Sequence, residues 1–107
     1  MRKHISQTLV EGNARLDFKL EIELRKIKHF SINVALISEN GSEDVFRVDT
    51  AHERLHTQKF WISPEPAWLE DEGKGDYLQD FLYWKKEVLE NFERWIELFR
   101  KKKGGLE

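Results

Sequence analysis

Between Arg47 and His56 the chain gathers two carboxylates, two imidazoles and two guanidinium groups: Arg47, Asp49, His52, Glu53, Arg54 and His56. Two of the four histidines of the whole chain fall in this stretch. A carboxylate such as Asp49 can hold an imidazole in one tautomer. The imidazole can then exchange a proton with a ribose hydroxyl or a leaving group, while Arg47 or Arg54 faces a phosphate. Asp49, His52, His56, Arg54 and Arg47 are therefore the candidate catalytic set, sufficient for phosphodiester cleavage without a metal or other cofactor. A rival use is metal ligation by Asp49, His52 and His56 with Glu53, which suits zinc, iron or nickel. The four-residue spacing of the histidines favours a metal only on a helix, and this segment follows an expected strand. A third use is a polar turn, since Asp49 and Thr50 both bond readily to nearby backbone.

The elements that must position these residues are legible from periodicity. Leu16, Phe18, Leu20, Ile22 and Leu24 alternate with Arg15, Asp17, Lys19, Glu21, Glu23 and Arg25, which predicts a strand with one buried and one charged face. After a polar turn near residues 25–28 the pattern resumes with Phe30, Ile32, Val34 and Leu36, opposed by His29, Ser31, Asn33 and Ala35. Asn40-Gly41 is a strong hairpin signal. A third strand runs from Val45 to Thr50, and a fourth is expected around Gln58 to Ile62. The charges on the outer face, His29 included, read as an ordinary solvated surface with cross-strand pairing. Residues 1–12, with Ile5, Leu9 and Val10 among polar neighbours, fit a short helix, an edge strand or a mobile arm.

Residues 63–75 carry both prolines and read as an acidic loop leaving the sheet. Asp76 followed by Gln79 resembles a capping box and predicts a helix over residues 76–103, ended by Gly104. Its apolar residues, from Tyr77 to Phe99, fill an arc of roughly 160°, wider than docking on a core requires. One flank of that aromatic face is a candidate homodimer contact. Lys85, the interruption in the arc, is expected to lay its stem on apolar surface. The expected fold is α+β: one domain with a three- to four-stranded antiparallel meander over residues 13–62 and one long C-terminal helix packed across one face.

Composition narrows the function classes. The 107 residues hold no cysteine, which excludes disulfides, cysteine-ligated metal sites and thiol catalysis, and fits the cytoplasm. No apolar run reaches the ~18 residues of a membrane span, so no membrane partner is expected. A net charge of −2 argues against a generally basic nucleic-acid binder. The charge is uneven, with one Lys/Arg against six Asp/Glu over residues 63–83. Abundant Lys and Glu with a single Met matches thermophile composition. The basic run Arg100–Lys103 suits a helix C-terminus and is also a candidate phosphate contact. Trp61 and Trp68 are candidates for closing the core or for stacking on bases.

Val48-Asp49-Thr50-Ala51-His52 followed by His56, with Arg47 just before the aspartate, resembles the TumE-type toxins of prokaryotic toxin–antitoxin systems and a related archaeal family. The turn is poorer in histidine than that family's, with Arg54, Leu55 and Thr57 in its place. The resemblance implies a toxin acting on RNA or translation, with a partner antitoxin. The reading that follows is a toxin-like ribonuclease or RNA-binding effector using the Asp/His/Arg cluster. The alternatives are a non-enzymatic homodimeric interaction module and a small metal-dependent hydrolase.

Overall fold

A strand whose alternate residues are apolar must bury one face, and the C-terminal helix supplies the cover. The computed structural model describes residues 2–50, 54–63, 65–69 and 76–103. The fold is α+β, an antiparallel sheet with one helix across it. Six strands follow in chain order, β1 (Arg2–Glu11), β2 (Ala14–Glu23), β3 (Lys26–Ser38), β4 (Gly41–Asp49), β5 (His56–Lys59) and β6 (Ala67–Trp68), and the helix α1 is Leu78–Lys103. Each strand pairs with the next, so the sheet order is β1-β2-β3-β4-β5-β6. No helix among the described residues is long and apolar enough to cross a membrane.

The expected three to four strands are thus six. Residues 2–11 are neither arm nor helix but a ten-residue edge strand, and the loop of residues 63–75 contains the short β6. The fourth expected strand is displaced: it is His56–Lys59, and residues 59–63 form a turn in which Ile62 and Ser63 donate to the Lys59 carbonyl. Leu24 does not continue the apolar face of β2. It is 77% exposed, because Leu24-Arg25 forms a two-residue turn closing Glu23 on Lys26, with φ of 53° and 64°. Both residues at positive φ is the type I′ geometry that matches strand twist.

The helix lies on the face formed by Leu16 and Phe18 of β2, Phe30, Ile32 and Val34 of β3, and Phe46 and Val48 of β4. Its own buried residues are Phe81, Val88, Phe92, Ile96 and Phe99. Phe46 is fully buried and is the hub of an aromatic group, stacked on Trp95 at 4.3 Å and near Trp84 and Trp61 at 5.8 and 6.5 Å. Trp61 therefore closes the core. Asp76 caps the helix as expected: its Oδ1 accepts from the Leu78 N–H at 3.1 Å and from the Ile27 N–H at 3.1 Å, tying the cap to β3. Lys85 sits with its Nζ 5.9 Å from the Phe18 ring, its stem on the core. At the other end Lys102 donates to the Phe60 carbonyl and Lys103 pairs with Glu43 at 2.9 Å. These two lysines of the basic run fasten the helix to the sheet.

Candidate functional site on the open face

The helix covers one face of the sheet, so the alternate residues of every strand face the other side. Register aligns them in rows. Ser6, Lys19, Ser31, Asp49, His56 and Trp68 stand in one line across all six strands. The row on one side of it contains His4, Glu21 and His29. The row on the other side contains Thr8, Asp17, Asn33, Arg47 and Gln58.

The sequence-derived set is partly assembled here. Arg47 donates from Nε to Asp49 Oδ2 at 2.6 Å, and His56 Nε2 lies 3.0 Å from Asp49 Oδ1. Asp49 is 6% and His56 7% exposed. Asp49 thus lies between a guanidinium and an imidazole, both held by the facing positions Asp49 and His56 on β4 and β5. The second ring nitrogen of His56 is 3.4 Å from the Arg54 carbonyl, and its ring lies 4.9 Å from that of Trp68. His56 is therefore packed in place, one ring nitrogen at Asp49 and the other at the Arg54 carbonyl. Arg54 does not reach Asp49. Its guanidinium lies over the Trp68 ring at 4.7 Å, on the far side of His56. Trp68 stands on the open face, unlike Trp61. His52 and Glu53, and with them half of the metal-ligand alternative, lie outside the described residues.

The cavity of this face lies beside that cluster. It has a volume of about 330 Å³ and is walled by Lys19, Glu21, His29, Arg47 and Asp49, with His4 at its edge. A bulge between β2 and β3 lies beside it: Glu21 faces His29 and Ile22 faces Ile27, leaving Lys28 as the extra residue. An extra residue bends the strand and re-aims its side chains. Two residues along β3 from that bulge Thr50 locks β4 to β3, its Oγ1 accepting from the Phe30 N–H at 3.1 Å.

Glu21 is the centre of the cavity's chemistry. One of its oxygens lies 3.7 Å from His4 Nε2 and 3.6 Å from Arg2 Nη1, and the other lies 3.6 Å from His29 Nε2. These separations allow ion pairing with a protonated ring and are too long for hydrogen bonds. The Oε2 atom is buried and has no hydrogen-bond partner among the described residues. A carboxylate between two imidazoles, with Lys19 and Arg47 on the same wall, can exchange protons and hold an anion at once. Sequence reading assigned Lys19, Glu21 and His29 to a solvated face and gave His4 no place. The alternation already put the first three on the face of Asp49. What it lacked was the bulge beside His29 and the strand that carries His4. Among the described residues no group of three or more His, Cys, Asp or Glu is placed to hold a metal ion.

An open-faced antiparallel meander, clamped by one helix and carrying on its free side a cavity edged by charged side chains, is the class of protein that this geometry defines. The chain belongs to the family described as Domain of unknown function (DUF7718), which matches residues 1–105. No curated protein and no solved structure matches it significantly. Membership covers nearly the whole chain and leaves the chemistry to be argued from the face itself.

Proposed function

We propose that the open face binds single-stranded RNA and that its cavity cleaves the phosphodiester backbone without a metal, as a toxin-like endoribonuclease of the cytoplasm. The observation that carries this reading is the convergence of His4 and His29 on Glu21 beside Lys19 and Arg47. Cleavage by the neighbouring 2′-hydroxyl needs a base to take its proton, an acid to protonate the 5′-oxygen as it leaves, and cations for the charge that gathers on phosphorus. His29 and His4 serve as the acid–base pair, one on either side of the Glu21 carboxylate. Lys19 and Arg47 hold the phosphate. Arg47 is itself aimed by Asp49, which His56 holds in turn. Arg54 and Trp68 extend the surface at its far end and offer a stacking platform for a base. An antitoxin partner would act by covering this face.

The test is incubation of purified protein with single-stranded RNA in chelator, at moderate and at high temperature, alongside induced expression in bacteria. The wild type should cut RNA and arrest growth. His29→Ala should lower cleavage by about 100- to 10,000-fold with an unchanged circular dichroism spectrum. Full cleavage by both His29→Ala and His4→Ala would overturn the assignment, and cleavage abolished by chelator would move it to a metal-dependent hydrolase.

A further inference from the structure

The two edges of the sheet are built differently. The β6 edge is two residues long and follows Pro66, the short, proline-flanked form by which proteins blunt an edge. The β1 edge is ten residues long, exposed throughout, and paired to β2 without a register shift from Arg2 to Glu11. It has neither proline nor bulge. The Gly12-Asn13 turn closes on Glu11 and Ala14, so these two exchange hydrogen bonds, and so does every second residue back along β1. The N–H and C=O groups of Arg2, His4, Ser6, Thr8 and Val10 consequently point outward with no strand to meet them. Ile5 and Leu9, on the helix side, are 49% and 38% exposed, since the helix packs chiefly on β3, β4 and β2 and leaves them largely uncovered.

We infer that a second copy of this chain covers the β1 edge, the two β1 strands pairing antiparallel about a two-fold axis to form one continuous twelve-stranded sheet. The sequence of β1 is complementary to itself in one register. It is basic at its start, with Arg2, Lys3 and His4, and acidic at its end, with Glu11. A perpendicular two-fold keeps both helices on one side, so helix-side residues must meet helix-side residues. Pairing Gln7 with its own copy satisfies this and sets Ile5 against Leu9 and Lys3 against Glu11 on that side. Ser6 then faces Thr8, and His4 faces Val10, as hydrogen-bonded pairs, which is what their outward backbone groups require. Shifting the register by one residue on each strand sets Lys3 against Leu9 and Ile5 against Gln7, losing both the charge pair and the apolar pair. The two cavities stay open on the common outer face of the sheet, each within a strand of the junction through its own His4.

The chain has no cysteine, so a single introduced thiol reports the register without background. Gln7→Cys places two thiols at a non-hydrogen-bonded pair whose Cα atoms are about 4.5 Å apart, within disulfide range. Oxidation should convert it to a covalent dimer, while Val10→Cys, distant from its own copy, should remain monomeric on reducing-agent-free gels. Sedimentation of the wild type should give twice the 12.8 kDa chain mass. The Ser6→Pro/Thr8→Pro double variant removes only outward N–H groups and keeps the β1–β2 ladder, so it should retain its circular dichroism. It should also raise the dimer dissociation constant by at least about 100-fold. Lys3→Glu and Glu11→Lys should each weaken the dimer, and the two together should restore it. A monomeric wild type overturns the inference. So does a dimer that survives both prolines or resists crosslinking at Gln7, which would move the contact to the aromatic flank of the helix.

Discussion

Asp49 and Glu21 are carboxylates on the same face, and their contacts separate their roles: Asp49 lies within hydrogen-bond distance of both its partners, Glu21 only within ion-pair distance of its own. Asp49 is buried between Arg47 and His56, and its removal leaves the His56 Nε2 without that acceptor beneath Trp68. Asp49→Ala should therefore destabilise the fold by about 1–3 kcal/mol, measured by urea unfolding, and Asp49→Asn should recover part of it by keeping an acceptor for one partner. His29→Ala sits at a rim that water reaches and should change stability by less than about 0.5 kcal/mol. If the two substitutions cost the same, the division into a positioning cluster and a working cavity fails. The grouping of Asp49 with His56 is legible from their closeness in sequence, but their pairing depends on β5 starting at His56, two residues before the expected fourth strand. Where the Arg54 guanidinium rests is not legible in the same way, because the position of Trp68 sets it.

Among the elements, β2, β3 and β4 could be read from their alternation because the helix buries one face of each and demands apolar residues there. β1 could not, since it is exposed along its length and its helix-side positions Lys3, Gln7 and Glu11 stay polar between Ile5 and Leu9. β6 is too short to carry a period, and the bulge at Lys28 leaves no mark in composition. The β2–β3 turn is an element-scale conflict of another kind: it requires positive φ at two positions and holds Leu24 and Arg25 there. Left-handed backbone costs an ordinary residue roughly 1–2 kcal/mol, whereas Asn-Gly adopts this turn freely. Leu24→Asn with Arg25→Gly should stabilise the protein by about 1–2 kcal/mol, raising its melting temperature by several degrees without altering the cavity. An unchanged or lower melting temperature would mean that this turn is unstrained. Leu24 is exposed, so its side chain contributes little core packing to set against the gain.

At the scale of the whole molecule, a chain of net charge −2 cannot hold RNA by its overall field. Lys102 and Lys103 are occupied in fastening the helix, one with the Phe60 and Ile62 carbonyls and the other with Glu43. Binding must then rest on the few cations of the open face, chiefly Lys19 and Arg47 at the cavity. Affinity for single strands falls with salt in proportion to the phosphates neutralised, with a log–log slope of about −0.7 for each. Two to four such contacts give a slope between about −1.4 and −2.8, far shallower than that of a basic nucleic-acid binder. Lys19→Ala and Arg47→Ala should each reduce the slope by about 0.7, while Lys103→Ala should leave it alone. A titration by fluorescence anisotropy across a range of salt concentrations checks this with His29→Ala as the background, so that the RNA survives the measurement. A steep slope that responds to Lys101 and Lys103 instead would place the RNA on the helix terminus and leave the cavity to another ligand.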